Sequence, residues 1–109
     1  MQDAPYFMLP NRNRKSEKIP YSEILYLEAS TNYTLIHLQC GKVKVSPKTL
    51  LFHIKNSLNN SFIRIHRAFC VNRDYIQNYD EKENANILLL RGGIELAVSR
   101  RKKRVLLEA

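Results

Sequence analysis

The apolar residues of this chain come in short runs of about four to eight, rich in β-branched or aromatic side chains and bounded by turn formers. Runs that short suit strands better than amphipathic helices, which need a longer periodic stretch. The pattern predicts a mainly β fold with strands over Tyr6–Leu9, Ile24–Glu28, Tyr33–Leu38, Lys42–Val45, Phe62–His66, Tyr75–Tyr79, Asn86–Leu90 and Ile94–Val98. Between the last two, Gly92–Gly93 offers both positive-φ positions of a two-residue type I′ hairpin turn. The polar, basic stretch Arg12–Lys18 reads as a loop joining an N-terminal strand to the rest.

One amphipathic helix interrupts the strands. Ser46 is placed to cap it and Pro47 to open it, with Leu50, Leu51, Ile54 and Leu58 assigned to one apolar face. Phe52 falls on the opposite side, where partial burial under a loop is favoured over a partner contact. A short C-terminal helix is expected after Ser99, over Arg100–Leu107. At 109 residues the chain suits one core, so a single domain over 1–109 is expected.

Charge narrows the class of partner. With 18 Lys and Arg against 10 Asp and Glu, the formal charge is +8, which favours a polyanion through long-range attraction and counterion release. Nucleic acid and an anionic membrane surface both satisfy that condition. The N-terminus lacks a signal-peptide pattern and no apolar run approaches the ~18 residues of a membrane span. A cytoplasmic protein without a membrane partner is therefore expected, with Cys40 and Cys70 as two reduced thiols.

Catalytic chemistry finds little to work with. Cys70 lies in the apolar run AFCV, where a thiol packs as a small hydrophobe. His37 and Cys40 have no second Cys/His pair at metal-ligand spacing, and neither phosphate-cradling glycine motif is present. The expectation is a non-enzyme without cofactor or metal.

The segment Ser99-Arg100-Arg101-Lys102-Lys103-Arg104 is more informative. Were Ser99 a helix cap, five cations would crowd the positive end of the helix dipole, at ~0.3–1 kcal/mol for each badly placed charge. Helix N–H groups with Arg and Lys form a strong anion site, so bound phosphate would offset that cost. A solvated helix that aids solubility is the alternative. Lys42, Lys44, Lys48, Arg64, Arg67 and Arg73 could extend the same field. No helix-turn-helix, RRM or KH pattern is visible, so groove reading would fall to loops and a helix end. Tyr26, Tyr33, Tyr75 and Tyr79 could stack on single strands, although core or edge packing explains them better.

Three segments in order, IPYSEILYLEASTNYT, FIRIHRAFCVNRDYI and ELAVSRRKK, resemble the LytTR family of bacterial DNA-binding domains, from about Ile19 to the C-terminus. The resemblance implies an elongated fold of short, mostly antiparallel strands in small sheets. Such a domain approaches duplex DNA with loops, usually at the output end of response regulators in two-component systems. It assigns Asn32, Arg67 and Arg100 to base edges and Arg101, Lys102 and Lys103 to phosphates. Arg bidentate to guanine and Asn bidentate to adenine are chemically suited to this. For Arg67 the alternative is a surface ion pair. Asn72 matches a motif position that reads as structural, its amide bonding backbone in a turn.

Two features depart from the family pattern. No receiver domain precedes Ile19, so the chain is either a stand-alone regulator or a piece of a longer one. Phe52 and Cys70 stand where a polar and an aliphatic residue would be expected. The resemblance leaves open a homodimer on repeated half-sites and a sensor kinase or receiver-domain partner. The rival to sequence-specific DNA binding is an interaction module that pairs with a related regulator and modulates it.

Overall fold

The computed structural model describes residues 6–10, 16–82 and 85–99. Among the described residues there are ten strands: β1 Tyr6–Pro10, β2 Ser16–Pro20, β3 Ile24–Ser30, β4 Tyr33–Leu38, β5 Val43–Ser46, β6 Phe62–His66, β7 Phe69–Asn72, β8 Ile76–Lys82, β9 Ala85–Leu90 and β10 Ile94–Ala97. A helix, α1 Leu50–Asn56, lies between β5 and β6, and single 3-10 turns at Tyr21–Glu23 and Arg73–Tyr75 lead into β3 and β8. All strand pairs are antiparallel, and the extents of 47 × 32 × 25 Å show the elongation expected.

The five-stranded sheet, ordered β5-β4-β3-β7-β6, is the middle layer. One face holds Ile24, Leu27, Ile36, Leu38, Phe62 and Cys70 against Phe7, Leu9 and Ile19 of the β1–β2 hairpin and Leu50 of α1. The other face packs Leu25, Tyr26, Ile63, Ile65 and Val71 against Leu88, Leu90 and Leu96 of the three-stranded sheet β10-β9-β8. Coverage on both faces explains why β3 opens on the unbroken run Ile24-Leu25-Tyr26-Leu27, all four buried. A register shift between Ile24 and Tyr26 puts Leu25 and Tyr26 in the same core, as a β-bulge does.

The predicted strands are present within a residue or two, except that β8 runs three residues past Tyr79; β2, which takes in Ser16–Lys18 of the expected loop, and β7 lie outside the expected set. Ser16–Pro20 is a polar strand with only Ile19 buried, so it carries no alternation to read. Phe69–Asn72 follows β6 after only Arg67 and Ala68, a turn without Gly, Pro or Asn. At the β9–β10 hairpin, Gly92 and Gly93 have φ of 96° and 82° as expected. Leu90 pairs with Ile94, however, so the loop is three residues and not a two-residue type I′ turn. The Gly93 N–H closes it on the Leu90 carbonyl at 3.2 Å, and the Arg91 N–H is drawn instead to the Tyr75 carbonyl at 2.9 Å.

The helix starts three residues later than Ser46 and Pro47 suggest. A residue before proline is pushed to extended backbone, so Ser46 ends β5. Thr49 becomes the cap, its Oγ1 accepting from Phe52 N–H at 3.2 Å. Leu50 is buried and Ile54 and Leu58 pack half-buried, but Leu51, about 100° round the helix from Leu50, is exposed. Phe52 is exposed too, with Lys48 Nζ 5.2 Å from its ring centre.

The residue that takes the inner face is His53, fully buried. Its Nε2 lies 2.6 Å from Ser46 Oγ and its Nδ1 2.9 Å from Ser57 Oγ, with the Phe7 ring centre 4.8 Å away. Burial, with Lys48 nearby, lowers its pKa to about 4. The imidazole is therefore neutral, one nitrogen donating and the other accepting.

Candidate nucleic-acid interface

The site is built at one end of the five-stranded sheet, where antiparallel pairing brings two turns together. The β3–β4 turn is Thr31-Asn32, closed by the pair Ser30 and Tyr33. The β6–β7 turn is Arg67-Ala68. Because β3 pairs with β7, Glu28 faces Phe69, and the Ala29 N–H donates to the Ala68 carbonyl at 2.8 Å. Asn32 and Arg67 thus sit at the same tip, both exposed. The third approach is the chain leaving β10, where Val98 is buried in the second core and the Ser99 N–H donates to the Ile65 carbonyl at 2.8 Å. That bond delivers Ser99 to β6 two residues before Arg67. Arg100, Arg101, Lys102 and Lys103, with the expected C-terminal helix over 100–107, lie outside the described residues.

Thr31 holds φ 56°, the left-handed region that β-branched residues avoid. Such an outlier persists only where its surroundings over-determine it. Here the turn is locked between two paired strands and presents Asn32 at its second position. Arg67 has no carboxylate within ion-pair distance among the described residues, where the ion pairs are His37 with Glu28 and Lys44 with Glu17.

The other cations divide between the two ends of the sheet. Lys48 belongs to the tip, since its carbonyl accepts from Thr34 Oγ1 at 2.8 Å, and Arg64 donates to carbonyls of the β6–β7 turn. Lys42 is bonded to Leu38 at the other end of β4, ~17 Å from Tyr33 at ~3.3 Å per residue. Arg73, bonded through its N–H to Ser61, and Arg91 lie at that far end too. Lys44 is engaged by Glu17 at 3.2 Å. Of the six cations that could have extended the field, Lys48, Arg64 and Arg67 gather at the tip, and Lys42, Lys44 and Arg73 do not. A cleft of about 560 Å³, lined by Gln39, Lys42, Tyr75 and Arg91 among others, also lies at the far end.

The tyrosines do not form a stacking platform. Tyr26 is buried, its ring stacked on His37 at 4.2 Å, and its phenol pKa is raised by burial and by Glu28. Tyr75 donates to the Ser22 carbonyl and lies 3.0 Å from Gln39 Oε1, and Tyr79 packs against the second core. Tyr33, beside Asn32, is the exception at 51% exposed. His66 was missed in the sequence, having no pattern to mark it; its Nδ1 accepts from the Ala68 N–H at 3.1 Å within the turn.

Asn72 is structural, as its motif position suggested. Its Nδ2 donates to the carbonyls of Tyr21 and Ile24 at 3.0 and 2.9 Å, while its Oδ1 accepts from Asp74 N–H at 3.1 Å. One buried amide thus ties β7 to the turns leading into β3 and β8. Cys70 is buried in the first core and Cys40 is exposed in the β4–β5 turn, so the two are not bridged. Among the described residues, no group of three or more His, Cys, Asp or Glu could hold a metal, and no helix is long and apolar enough to cross a membrane.

The family model described as the LytTr DNA-binding domain matches residues 14–109. No protein of curated function matches the chain. Among solved structures, the fold is similar to the LytTr DNA-binding domain of a protein described as a methyl-accepting/DNA response regulator from Bacillus cereus. The two share 21% identity and a TM-score of 0.78, over 97% of this chain and 96% of that one. At that identity the likeness speaks for the fold. LytTR domains are non-catalytic modules that bind DNA in transcriptional regulation. With most of its length matched, this chain belongs to the LytTR family of DNA-binding domains.

Proposed function

We propose that this chain binds duplex DNA sequence-specifically to regulate transcription, entering the major groove with its β3–β4 turn, its β6–β7 turn and the basic segment after Ser99. The observation that carries the reading is the meeting of the two turns with Ser99, the residue that leads into the basic segment, at one end of the sheet, through the Ala29–Ala68 and Ser99–Ile65 backbone bonds. Asn32, Arg67 and Arg100 read base edges, and Arg101, Lys102 and Lys103 bind phosphates. Two exposed side chains, Asn32 and Arg67, at adjoining turn tips suit groove reading because both are free of acidic partners among the described residues. The same reading takes in a second copy on a repeated half-site and a receiver-domain or sensor-kinase partner upstream.

The test is selection of bound sequences from random duplexes, followed by titration over salt. With about five phosphate contacts, log K should fall against log salt with a slope of roughly −4 to −5. Failure to enrich any sequence, or a flat salt dependence, overturns the proposal.

A further inference from the structure

We propose that Arg64 is a positioning residue for Arg67, its guanidinium stapling the β6–β7 turn so that Arg67 meets DNA from a defined backbone. This deepens the DNA-binding reading and rests on it. The turn Arg67-Ala68 contains neither glycine nor proline to fix its conformation. It also follows a register shift between Arg64 and His66, where a strand bends and re-aims its side chains. Side chains supply the missing restraint. Arg64 Nη2 donates to the Arg67 carbonyl at 2.8 Å and Nε to the His66 carbonyl at 3.3 Å. From within the turn, the Ala68 N–H donates to His66 Nδ1 at 3.1 Å, and β3 holds the Ala68 carbonyl through Ala29.

Arg64 is half-buried and, among the described residues, has no carboxylate in ion-pair range. Its charge is directed at the backbone carbonyls of His66, the last residue of β6, and of Arg67 itself. Such oxygens repel an approaching phosphate, and the guanidinium neutralises both. A planar fork with donors on separate nitrogens spans two carbonyls at once, which a single ammonium centre does poorly. Arg64→Lys therefore keeps the charge and breaks the staple.

The experiment compares the parent with Arg64→Lys, Arg64→Ala, Arg67→Ala and the Arg64→Ala/Arg67→Ala double variant. Binding to the selected duplex and to random duplexes is titrated over salt, and sequence selection is repeated for each, with melting curves as a check on folding. Arg67→Ala should weaken the selected duplex by roughly 5- to 150-fold and relax one or two base positions. Arg64→Lys should leave random-duplex affinity and salt slope unchanged, weaken the selected duplex at least ~5-fold and relax those same positions. The double variant should be no worse on the selected duplex than Arg67→Ala alone, apart from a change shared by random duplexes.

Parent-like behaviour of Arg64→Lys overturns the proposal. So does an Arg64→Ala variant that weakens both duplexes equally and lowers the salt slope by about one, because that is the signature of a phosphate contact. Relaxation at base positions other than those of Arg67 would make Arg64 a reader in its own right and equally overturn it. If Arg64→Ala does not fold, Arg64→Lys decides. If Arg67→Ala leaves the preference intact, base reading by Arg67 is what has failed, and that arm shows it independently of Arg64.

Discussion

Lowering the pH from 7 to 5 should remove ~2 kcal/mol of stability through a single side chain, His53. The ring is fully buried between Ser46 Oγ, Ser57 Oγ and the Phe7 ring, and its pKa is lowered to about 4. In the unfolded chain it titrates near the ordinary 6.5. Between those values the unfolded state holds the proton and the folded state does not, so stability rises with pH. The contribution is present above about 6.5 and is lost as the pH falls toward 4, reaching ~3 kcal/mol in full. Most of the drop to pH 5 falls inside that window, which corresponds to about 10 °C in melting temperature for a domain of this size. Urea denaturation of the parent and of His53→Gln at both pH values isolates the term, since every other titrating group is common to the two. His53→Gln should be less stable at pH 7 and should lose ~2 kcal/mol less than the parent on acidification. Equal losses in the two proteins would refute a buried neutral His53.

Other substitutions test other joints of the structure. Asn72→Leu should cost about 3 kcal/mol in chemical denaturation, because it strips partners from the Tyr21 and Ile24 carbonyls and the Asp74 N–H; a loss below ~1 kcal/mol would contradict that role. Thr31→Gly should raise stability by ~1 kcal/mol by relieving the left-handed backbone at φ 56°, and a destabilised variant would show that Thr31 is not strained. In DNA binding, Arg67→Ala and Arg100→Ala should each cost ~1–3 kcal/mol on the selected duplex and relax its preference, with Asn32→Ala acting more weakly. Lys102→Ala or Lys103→Ala should weaken all duplexes alike and lower the salt slope by about one; a changed preference there, with none at Arg67 and Arg100, would reverse the proposed roles.

Local chemistry made much of this protein readable from its residues. The strands announce themselves as short apolar runs, Gly92 and Gly93 mark a turn that needs positive φ, and the family resemblance lies in three contiguous segments. Asn72 could be given a backbone-binding role because it holds a motif position ahead of a turn, where its Oδ1 accepts from the Asp74 N–H two residues on. Each of these depends on neighbours in sequence or on a motif that carries its own context.

What depended on distant pairing had to wait for the tertiary structure. Ser16–Pro20 becomes a strand only because β1 lies beside it. Ser46 and Thr49 are both sound caps by residue type, and the choice between them follows from Pro47 holding Ser46 in β5 and from His53 claiming its hydroxyl. Leu51 looks like core and His53 like surface until α1 is laid on the sheet, where the start of the helix sets which side faces inward. The cations give no hint of their grouping, because Lys42 and Lys48 are six residues apart in sequence yet at opposite ends of β5. Asn32 and Arg67 are joined only by the β3–β7 ladder, and the approach of Ser99 to Ile65 depends on a second sheet packing over the first. Residue types supply the chemistry of an interface, and long-range strand pairing, whose partners no local pattern names, decides which of them share one.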